Sequence, residues 1–320
     1  MQNEKGKSIA FHYCAFFLLS FALFLSGCVG WPWRMEPPLR EATAEHLIDL
    51  LRAREAAIQT LKGLFRAQIK APGIPIAQRV EGAMFYRRPN ALRLQGFNPL
   101  GGELFEFVLG DDLYRLRLPA TGQVFTGRLV ELERMGKLGR PFQLSVWAVT
   151  GAVGIASVSK EEKVLLSEEG DRYRLDVFLP GETEGGHAGQ PIRRIWFERR
   201  SFQVVREDRL TTEGEVEATM QFEDFRPVDL SPKDLSISPG TDGMDTPMLK
   251  PFKISMRDGR GQGTLLLTFH EIVPNPQLRP DELGVADVGR GARGERLWGN
   301  QLALSPIAAS CIPLIFSEQR

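Results

Sequence analysis

The chain has 320 residues, of which 42% are apolar and 25% are charged, and its 40 basic residues are balanced by 40 acidic ones. This length suits one large domain or two small ones, and the composition is that of a globular protein. Because the formal net charge is zero, the chain has no overall basic field, and we expect no nucleic-acid partner. The three cysteines are too few for a disulfide framework.

The N-terminal segment has the features of a targeting signal. Lys5 and Lys7 precede an apolar run at residues 9–25, which ends in the motif LSGC at Cys28. Small residues before a cleavage site are typical of a secretory signal peptide. The motif resembles the lipobox of bacterial lipoproteins, which implies that residues 1–27 are removed and that Cys28 carries lipid. The lack of Asp after the cysteine favours the outer membrane. A transmembrane anchor is the alternative, but the run is short for a span.

Residues 28–42 are predicted to form a tether, because three prolines favour extended chain there. Trp31 and Trp33 suit either the lipid headgroup region or a site on the domain. Helical spacing of apolar residues then predicts an amphipathic helix from Thr43 to about Lys62, with Thr43 as its N-cap. Such helices usually cover a sheet. The expected apolar face contains Leu47, Ile48, Leu51, Ile58 and Leu61.

Alternation of apolar and polar residues after the helix predicts short consecutive strands with tight turns, which indicates an antiparallel meander. We expect a loop over residues 227–251, an ordered domain over 43–283, and a disordered tail over 284–320. The expected strands include residues 65–69, 80–86, 92–95, 105–109, 114–118, 173–179, 215–223, 253–257 and 264–273, a hairpin within 192–207, and a 72–75 turn.

Two short helices, at residues 128–138 and 141–150, interrupt the predicted meander. The second is apolar nearly all round, with Phe142, Leu144 and Trp147 among its residues, so it must be buried. Gly151 is the expected stop signal for this helix. We therefore predict that Trp147 is largely buried against the sheet.

The hairpin at residues 91–109 contains an unusual turn, Asn98-Pro99-Leu100-Gly101-Gly102. Asn, Pro and Gly suit the backbone of a turn, but nothing in turn chemistry requires a leucine. Leu100 must therefore be covered by another loop or meet a membrane or an apolar ligand.

We find no nucleophile elbow, phosphate-binding loop or metal-ligand spacing in a suitable context. We therefore assign no catalytic residues and expect no enzyme activity, no metal and no cofactor.

The segments LQGFNPLGGELFEF (residues 94–107) and PFQLSVWAVTG (residues 141–151), with the lipobox and the N-terminal helix, resemble the LolB family of outer-membrane lipoprotein receptors. More broadly they resemble the LolA/LolB-like fold, over about residues 43–225. The resemblance implies a mainly β fold: an incomplete, half-open antiparallel β-barrel with a helical lid. It also implies a lipid-anchored outer-membrane protein whose domain lies in the periplasm.

The resemblance implies that an apolar cavity receives acyl chains of lipoproteins or lipids from a periplasmic lipoprotein carrier and delivers them to the outer membrane. Asn98, Pro99, Leu100 and Gly101 would form the membrane-contact loop. Periodicity alone allows either a filled core or a cavity, and a structural or ligand-sensing lipoprotein without a transfer role is the alternative. The expected cavity or lid residues are Leu47, Leu51, Ile58, Leu94, Phe105, Phe107, Phe142, Leu144, Trp147, Leu175 and Met220.

Overall fold

The computed structural model describes residues 37–70, 78–135, 139–154, 158–179, 189–229, 248–261 and 263–284. The predicted signal peptide, Cys28, both tether tryptophans, the 72–75 turn and residues 285–320 lie outside this set. The elements described below all belong to Arg40–Arg320, one of the two units into which the chain divides.

The described strands form one antiparallel sheet of 13 strands, in the order β6-β5-β4-β3-β2-β1-β13-β12-β11-β10-β9-β8-β7. Successive strands pair with each other except at the break between β6 and β7, and β1 joins the two halves by pairing with β13. The strands are β1 (Thr60–Lys70), β2 (Gln78–Arg87), β3 (Ala91–Phe97), β4 (Glu103–Gly110), β5 (Leu113–Leu118), β6 (Gln123–Arg128), β7 (Lys163–Glu169), β8 (Arg172–Phe178), β9 (Arg193–Glu198), β10 (Val204–Leu210), β11 (Val216–Val228), β12 (Met248–Asp258) and β13 (Thr264–Pro274).

Within the described ranges, four helical segments accompany the sheet: α1 (Ala44–Ala56), a 3-10 helix (Leu129–Met135), α2 (Gly139–Val153) and α3 (Pro280–Leu283). The 3-10 helix and α2 lie in the connection between the two edge strands, β6 and β7. The prediction of a mainly β, open antiparallel sheet with helices is therefore confirmed. In β3 the buried residues alternate with partly exposed ones, as the predicted period of two requires.

Helix α1 begins as predicted but ends earlier. Thr43 is its N-cap, with its hydroxyl accepting a hydrogen bond of 3.3 Å from the backbone N–H of His46. The helix stops at Ala56, so the prediction that Ile58 and Leu61 lie on it was wrong. Ile58 lies in the link and Leu61 in β1, and both are fully buried. Pairing of β1 with both β2 and β13 overrides the helical spacing there.

Two edge strands were missed, and one predicted loop is too long. Strands β6 and β7 each pair on one side only, and their alternation is weak because solvent covers much of both. Residues 227–228 and 248–251 were predicted as loop but belong to β11 and β12. Pro251 is tolerated in β12 because β12 pairs with β13 only from Lys253 to Arg257, so that Pro251 has a paired neighbouring strand on one side alone.

Helix α2 continues through Gly151 to Val153, so the predicted stop at Gly151 was wrong. A Cβ at position 151 would lie 2.9 Å from Cε1 of Phe222. Gly151 is therefore required by close packing of the helix on β11 rather than by helix termination.

Candidate functional site

Helix α2 packs on the apolar face of the sheet. Near its start, the ring of Phe142 stacks on Phe107 at 6.0 Å and meets Phe105 edge-on at 5.1 Å. Near its end, Gly151 lies against Phe222 of β11. The short helix is thus a lid over the sheet, because its apolar side chains replace water on that face.

Two glycines form a flat strip beneath this lid. Gly82 of β2 and Gly96 of β3 are register partners, and their outer partners are Phe65 of β1 and Phe105 of β4. An added Cβ would lie 2.6 Å from Phe65 Cε2 at Gly82, and 2.7 Å from Phe105 Cδ1 at Gly96. The phenylalanine rings therefore cover the glycines from both sides and fill the space that side chains would occupy.

Among the described residues, cavities lie between the helices and the sheet at two places. One measures about 20 Å³ and is lined by Phe65, Phe105 and Val149 among others. The other measures about 50 Å³, is partly open to solvent, and includes Leu51, Phe222 and two cationic side chains in its wall. Ligand pockets are usually about 300–1,000 Å³. Neither cavity holds an acyl chain in this conformation, because side chains of α2 occupy the face.

The larger cavity contains Arg54 of α1 and Lys250 of β12. Burial, assisted by the nearby charge of Arg54, lowers the pKa of Lys250 from 10.5 to about 7. Burial also lowers the pKa of Arg54 to about 10. Sequence reasoning missed both residues. The sequence signal that could have found Lys250 is the alternation of Phe252, Ile254 and Met256. When this alternation is continued towards the N-terminus, it places Lys250 on the same inward face.

Nine of the eleven expected cavity or lid residues are buried, and Phe105 and Trp147 are half-buried. Trp147 is partly buried and packs against the buried core, so the prediction of a largely buried side chain holds in part. The guanidinium of Arg209 lies 4.8 Å from the centroid of its indole ring, so a charged side chain covers one face of Trp147. The buried set is Leu47, Leu51, Ile58, Leu94, Phe107, Phe142, Leu144, Leu175 and Met220.

The turn between β3 and β4 is tightly hydrogen-bonded, yet its leucine is free. The side-chain oxygen of Asn98 accepts from the N–H groups of Leu100 and Gly102, at 2.9 and 3.0 Å. Gly101 has φ 86°, which favours glycine, and its N–H donates to the Asn98 carbonyl at 2.9 Å. Leu100 is 96% exposed, so no described loop covers it. The turn is thus a defined support for one exposed apolar side chain.

The opposite face of β3 and β4 carries a charged cluster. Arg93 and Arg117 donate to the carboxylate of Glu106, whose exposure is only 5%. Burial alone would raise the pKa of Glu106, but these two partners outweigh it and hold that pKa below its usual value. Arg93 also donates to two carbonyls of α3, which fixes this short helix on the sheet. This cluster is structural and lies away from the lid.

Across the described ranges, no group of three or more His, Cys, Asp or Glu side chains is arranged to hold a metal ion. Within the same part of the chain, no helix combines the length and apolarity needed to cross a membrane.

The fold is similar to that of several solved structures. A DUF1329 family protein from Desulfovibrio piger matches with a TM-score of 0.51 and 11% identity, covering 78% of this chain and 100% of the other. A putative outer membrane lipoprotein-sorting protein domain from Vibrio parahaemolyticus matches with a TM-score of 0.47 and 9% identity, covering 77% of this chain and 99% of the other. A LolA superfamily protein from Nitrosomonas europaea matches with a TM-score of 0.47 and 12% identity, covering 76% of this chain and 97% of the other.

No protein-family model matches the sequence, and no curated protein matches it. At these low identities the likeness is one of fold alone. The class of protein is therefore defined by its architecture, an open antiparallel sheet with a helical lid, and its fold is similar to that of the DUF1329 protein.

Proposed function

We propose that this protein is a lipid-anchored outer-membrane lipoprotein that binds acyl chains of lipoproteins or lipids beneath α2 and delivers them to the membrane. Cys28 would carry the anchor, and a periplasmic lipoprotein carrier would supply the cargo. The proposal combines the lipobox, the resemblance of residues 94–107 to the LolB family, and the geometry of the lid and the turn.

The observation that carries the proposal is the exposure of Leu100 on a rigid turn. Burying a leucine side chain contributes about 1.5–3 kcal/mol, which Leu100 forgoes in the folded domain. The asparagine bonds hold the turn, so the leucine is presented without a further loss of chain freedom. Insertion of Leu100 into lipid would recover that free energy at the moment of delivery.

The lid explains how a domain with small cavities can accept a chain. Helix α2 contributes Phe142, Leu144 and Val149 to the core, and these are the side chains that an acyl chain would replace. An apolar chain and an apolar lid compete for the same face. Binding therefore requires α2 to move away from β12 and β13, and delivery returns it.

The test is acyl transfer by the purified protein to liposomes, measured with a fluorescent fatty-acyl probe. Leu100→Glu should retain the thermal stability and the probe binding of the wild type, because a surface change usually costs within about 0.5 kcal/mol. Transfer to liposomes should fall strongly.

The matched control is Val130→Glu, which adds the same charge at an apolar side chain that is 80% exposed in the 3-10 helix. This variant should transfer normally. Unfolding of Leu100→Glu would show that the leucine is core, and normal transfer would remove the membrane role from the turn.

A second function is favoured by the small size of the cavities. In a structural or ligand-sensing lipoprotein of this fold, α2 would stay packed and the interior would remain filled. The acyl probe separates the two functions. Saturable binding supports the carrier, and a lack of binding over several chain lengths supports the filled domain.

A further inference from the structure

One buried and one half-buried cationic side chain share the wall of the larger cavity. Lys250 is only 4% exposed and points inward from β12, while Arg54 reaches the cavity from α1. Apolar side chains make up much of the remaining wall, including Leu51, Val204 and Phe222. Buried charges are expensive unless a counter-charge or several hydrogen bonds compensate them.

The partners of these cations in the described part of the chain are carbonyl groups. Arg54 donates to the Phe202 carbonyl at 2.7 Å, and Lys250 donates to the carbonyl of Val153, the last residue of α2. Among the described residues, no carboxylate forms an ion pair with either cation. A carbonyl dipole satisfies one donor but does not neutralise a full charge, and an ammonium has three donors and a guanidinium five.

The charged groups next to Lys250 are engaged elsewhere. Its register partner on β11, Arg226, is paired with Asp224 at 2.6 Å. Lys253, further along β12, pairs with Glu223. Arg54 is the cation whose charge acts on Lys250. The cavity therefore holds two cationic side chains, of which Lys250 is about half protonated near pH 7, and its own described neighbours supply no negative charge to either.

A purely structural role explains part of this arrangement. Lys250 caps the C-terminal carbonyl of α2, where a cation is favourable. Arg54 holds the link between β9 and β10 through Phe202. A neutral donor would serve either purpose at a lower desolvation cost, since burying a charge costs more than burying an amide or hydroxyl. Two cationic groups at one cavity indicate a ligand that brings a negative charge, which would also favour the protonated form of Lys250.

We propose that Arg54 and Lys250 bind the anionic headgroup, a carboxylate or a phosphate, of a single-chain amphiphile. Charge-assisted hydrogen bonds from a guanidinium and an ammonium suit such oxygens. A cavity of about 50 Å³ takes the headgroup, and the adjoining apolar wall takes the first methylenes. The inference rests on the acyl-chain binding proposed above and adds the chemistry of the head.

The same contact couples the headgroup to the lid. An anion that binds Lys250 competes with the Val153 carbonyl, which is the C-terminal attachment of α2. Loss of that hydrogen bond loosens the helix end that must move to admit the rest of the chain. The headgroup thus both anchors the amphiphile and releases the lid.

The experiment uses the full chain in nanodiscs of zwitterionic phospholipid, with binding to empty nanodiscs subtracted. Equilibrium dialysis compares octyl phosphate, octanoate, octanol and inorganic phosphate. Octyl phosphate and octanoate should bind saturably, and octanol and inorganic phosphate should each bind at least about 10-fold more weakly, a difference of about 1.4 kcal/mol.

Variants then assign the headgroup contact. Lys250→Met and Arg54→Met should weaken octyl phosphate at least about 10-fold while leaving octanol unchanged, and Lys250→Arg should restore much of the affinity. The controls are Lys253→Met, on the same strand, and Arg52→Met, on the same helix, and both should bind like the wild type. Circular dichroism checks that each variant folds. If Lys250→Met does not fold, the comparison of octyl phosphate with octanol on the wild-type chain decides whether the headgroup is bound.

Three results overturn the inference in different ways. Equal binding of octanol and octyl phosphate leaves acyl-chain binding intact and removes the headgroup role. If inorganic phosphate binds as tightly as octyl phosphate, the cavity is a simple anion site and the proposed amphiphile is excluded. Failure of all the amphiphiles to bind removes the proposed function as well.

Discussion

Replacing Lys250 by methionine should change how stability depends on pH. The pKa of Lys250 is about 7 in the folded protein, against a reference value of 10.5 for an exposed lysine. Between these values the unfolded chain binds more protons than the folded one, so the stability of the wild type rises with pH across this window. Below pH 7 the folded protein must bury the charge, and above pH 10.5 neither state carries it.

The size of the effect follows from the shift. Each pKa unit corresponds to 1.36 kcal/mol, so the difference between the two ends of the window is roughly 5 kcal/mol. Methionine has a similar length and no charge. The variant loses the hydrogen bond to Val153, a net cost of about 1 kcal/mol. We therefore expect Lys250→Met to be more stable than the wild type at pH 6 and slightly less stable at pH 10.5.

Urea denaturation at half-unit steps from pH 6 to pH 10.5 measures this difference. Other groups that titrate in the window, including Tyr86 and Tyr114, are present in both chains and cancel. Lys253→Met is the matched control, because this lysine lies on the same strand with a partly exposed partner, and its profile should run parallel to the wild type. Parallel profiles for Lys250→Met as well would refute the argument that Lys250 is buried in the folded protein.

Four further predictions concern the anchor, the lid and the sheet. Cys28→Ser should yield a precursor that is uncleaved or soluble, and normal outer-membrane fractionation would contradict the lipoprotein proposal. Trp147→Ala should lower the free energy of unfolding by less than the 3–5 kcal/mol typical of a core tryptophan, because the side chain is only half-buried. Denaturation measures this loss of stability, and acyl-probe binding measures the effect on the ligand. Gly96→Ala should lower the free energy of unfolding by about 1–3 kcal/mol, because the added methyl group displaces Phe105, and Phe105→Leu should recover part of this loss. An unchanged denaturation midpoint would contradict the packing of Phe105 over Gly96. Glu106→Gln should cost roughly 2–3 kcal/mol at pH 7. Since the pKa of Glu106 is lowered on folding, this cost should begin to shrink only as the pH falls below about 4.5, and a constant difference in denaturation at pH 3–7 would refute this.

Several features could be predicted from the sequence because they depend only on local chemistry. Thr43 caps α1 because its hydroxyl and the first helical N–H groups are neighbours along the chain. The turn at Asn98 forms from bonds within five consecutive residues, so its shape follows from local composition, whereas the exposure of Leu100 depends on no other loop covering it. Alternation in β3 and β8 marks the buried face, because side chains in a strand point to opposite sides.

Distant pairing decided the rest. The pairing of β1 with β13 joins residues about 200 positions apart, such as Leu61 and Pro274, and it ended α1 before Ile58. Edge position blurred the patterns of β6 and β7, because one side of each strand meets solvent.

The cation site arose in the same way. Arg54 belongs to an ordinary amphipathic helix, and Lys250 stands in a stretch that composition marks as loop. Their side chains share one cavity only because α1 and β12 meet at the end of α2. The sequence by itself determined the turn, the helix cap and the faces of the strands, since these depend on neighbours along the chain. The tertiary structure decided which faces are covered and which charges are left without a counter-charge, since these depend on segments that meet only when the sheet is assembled.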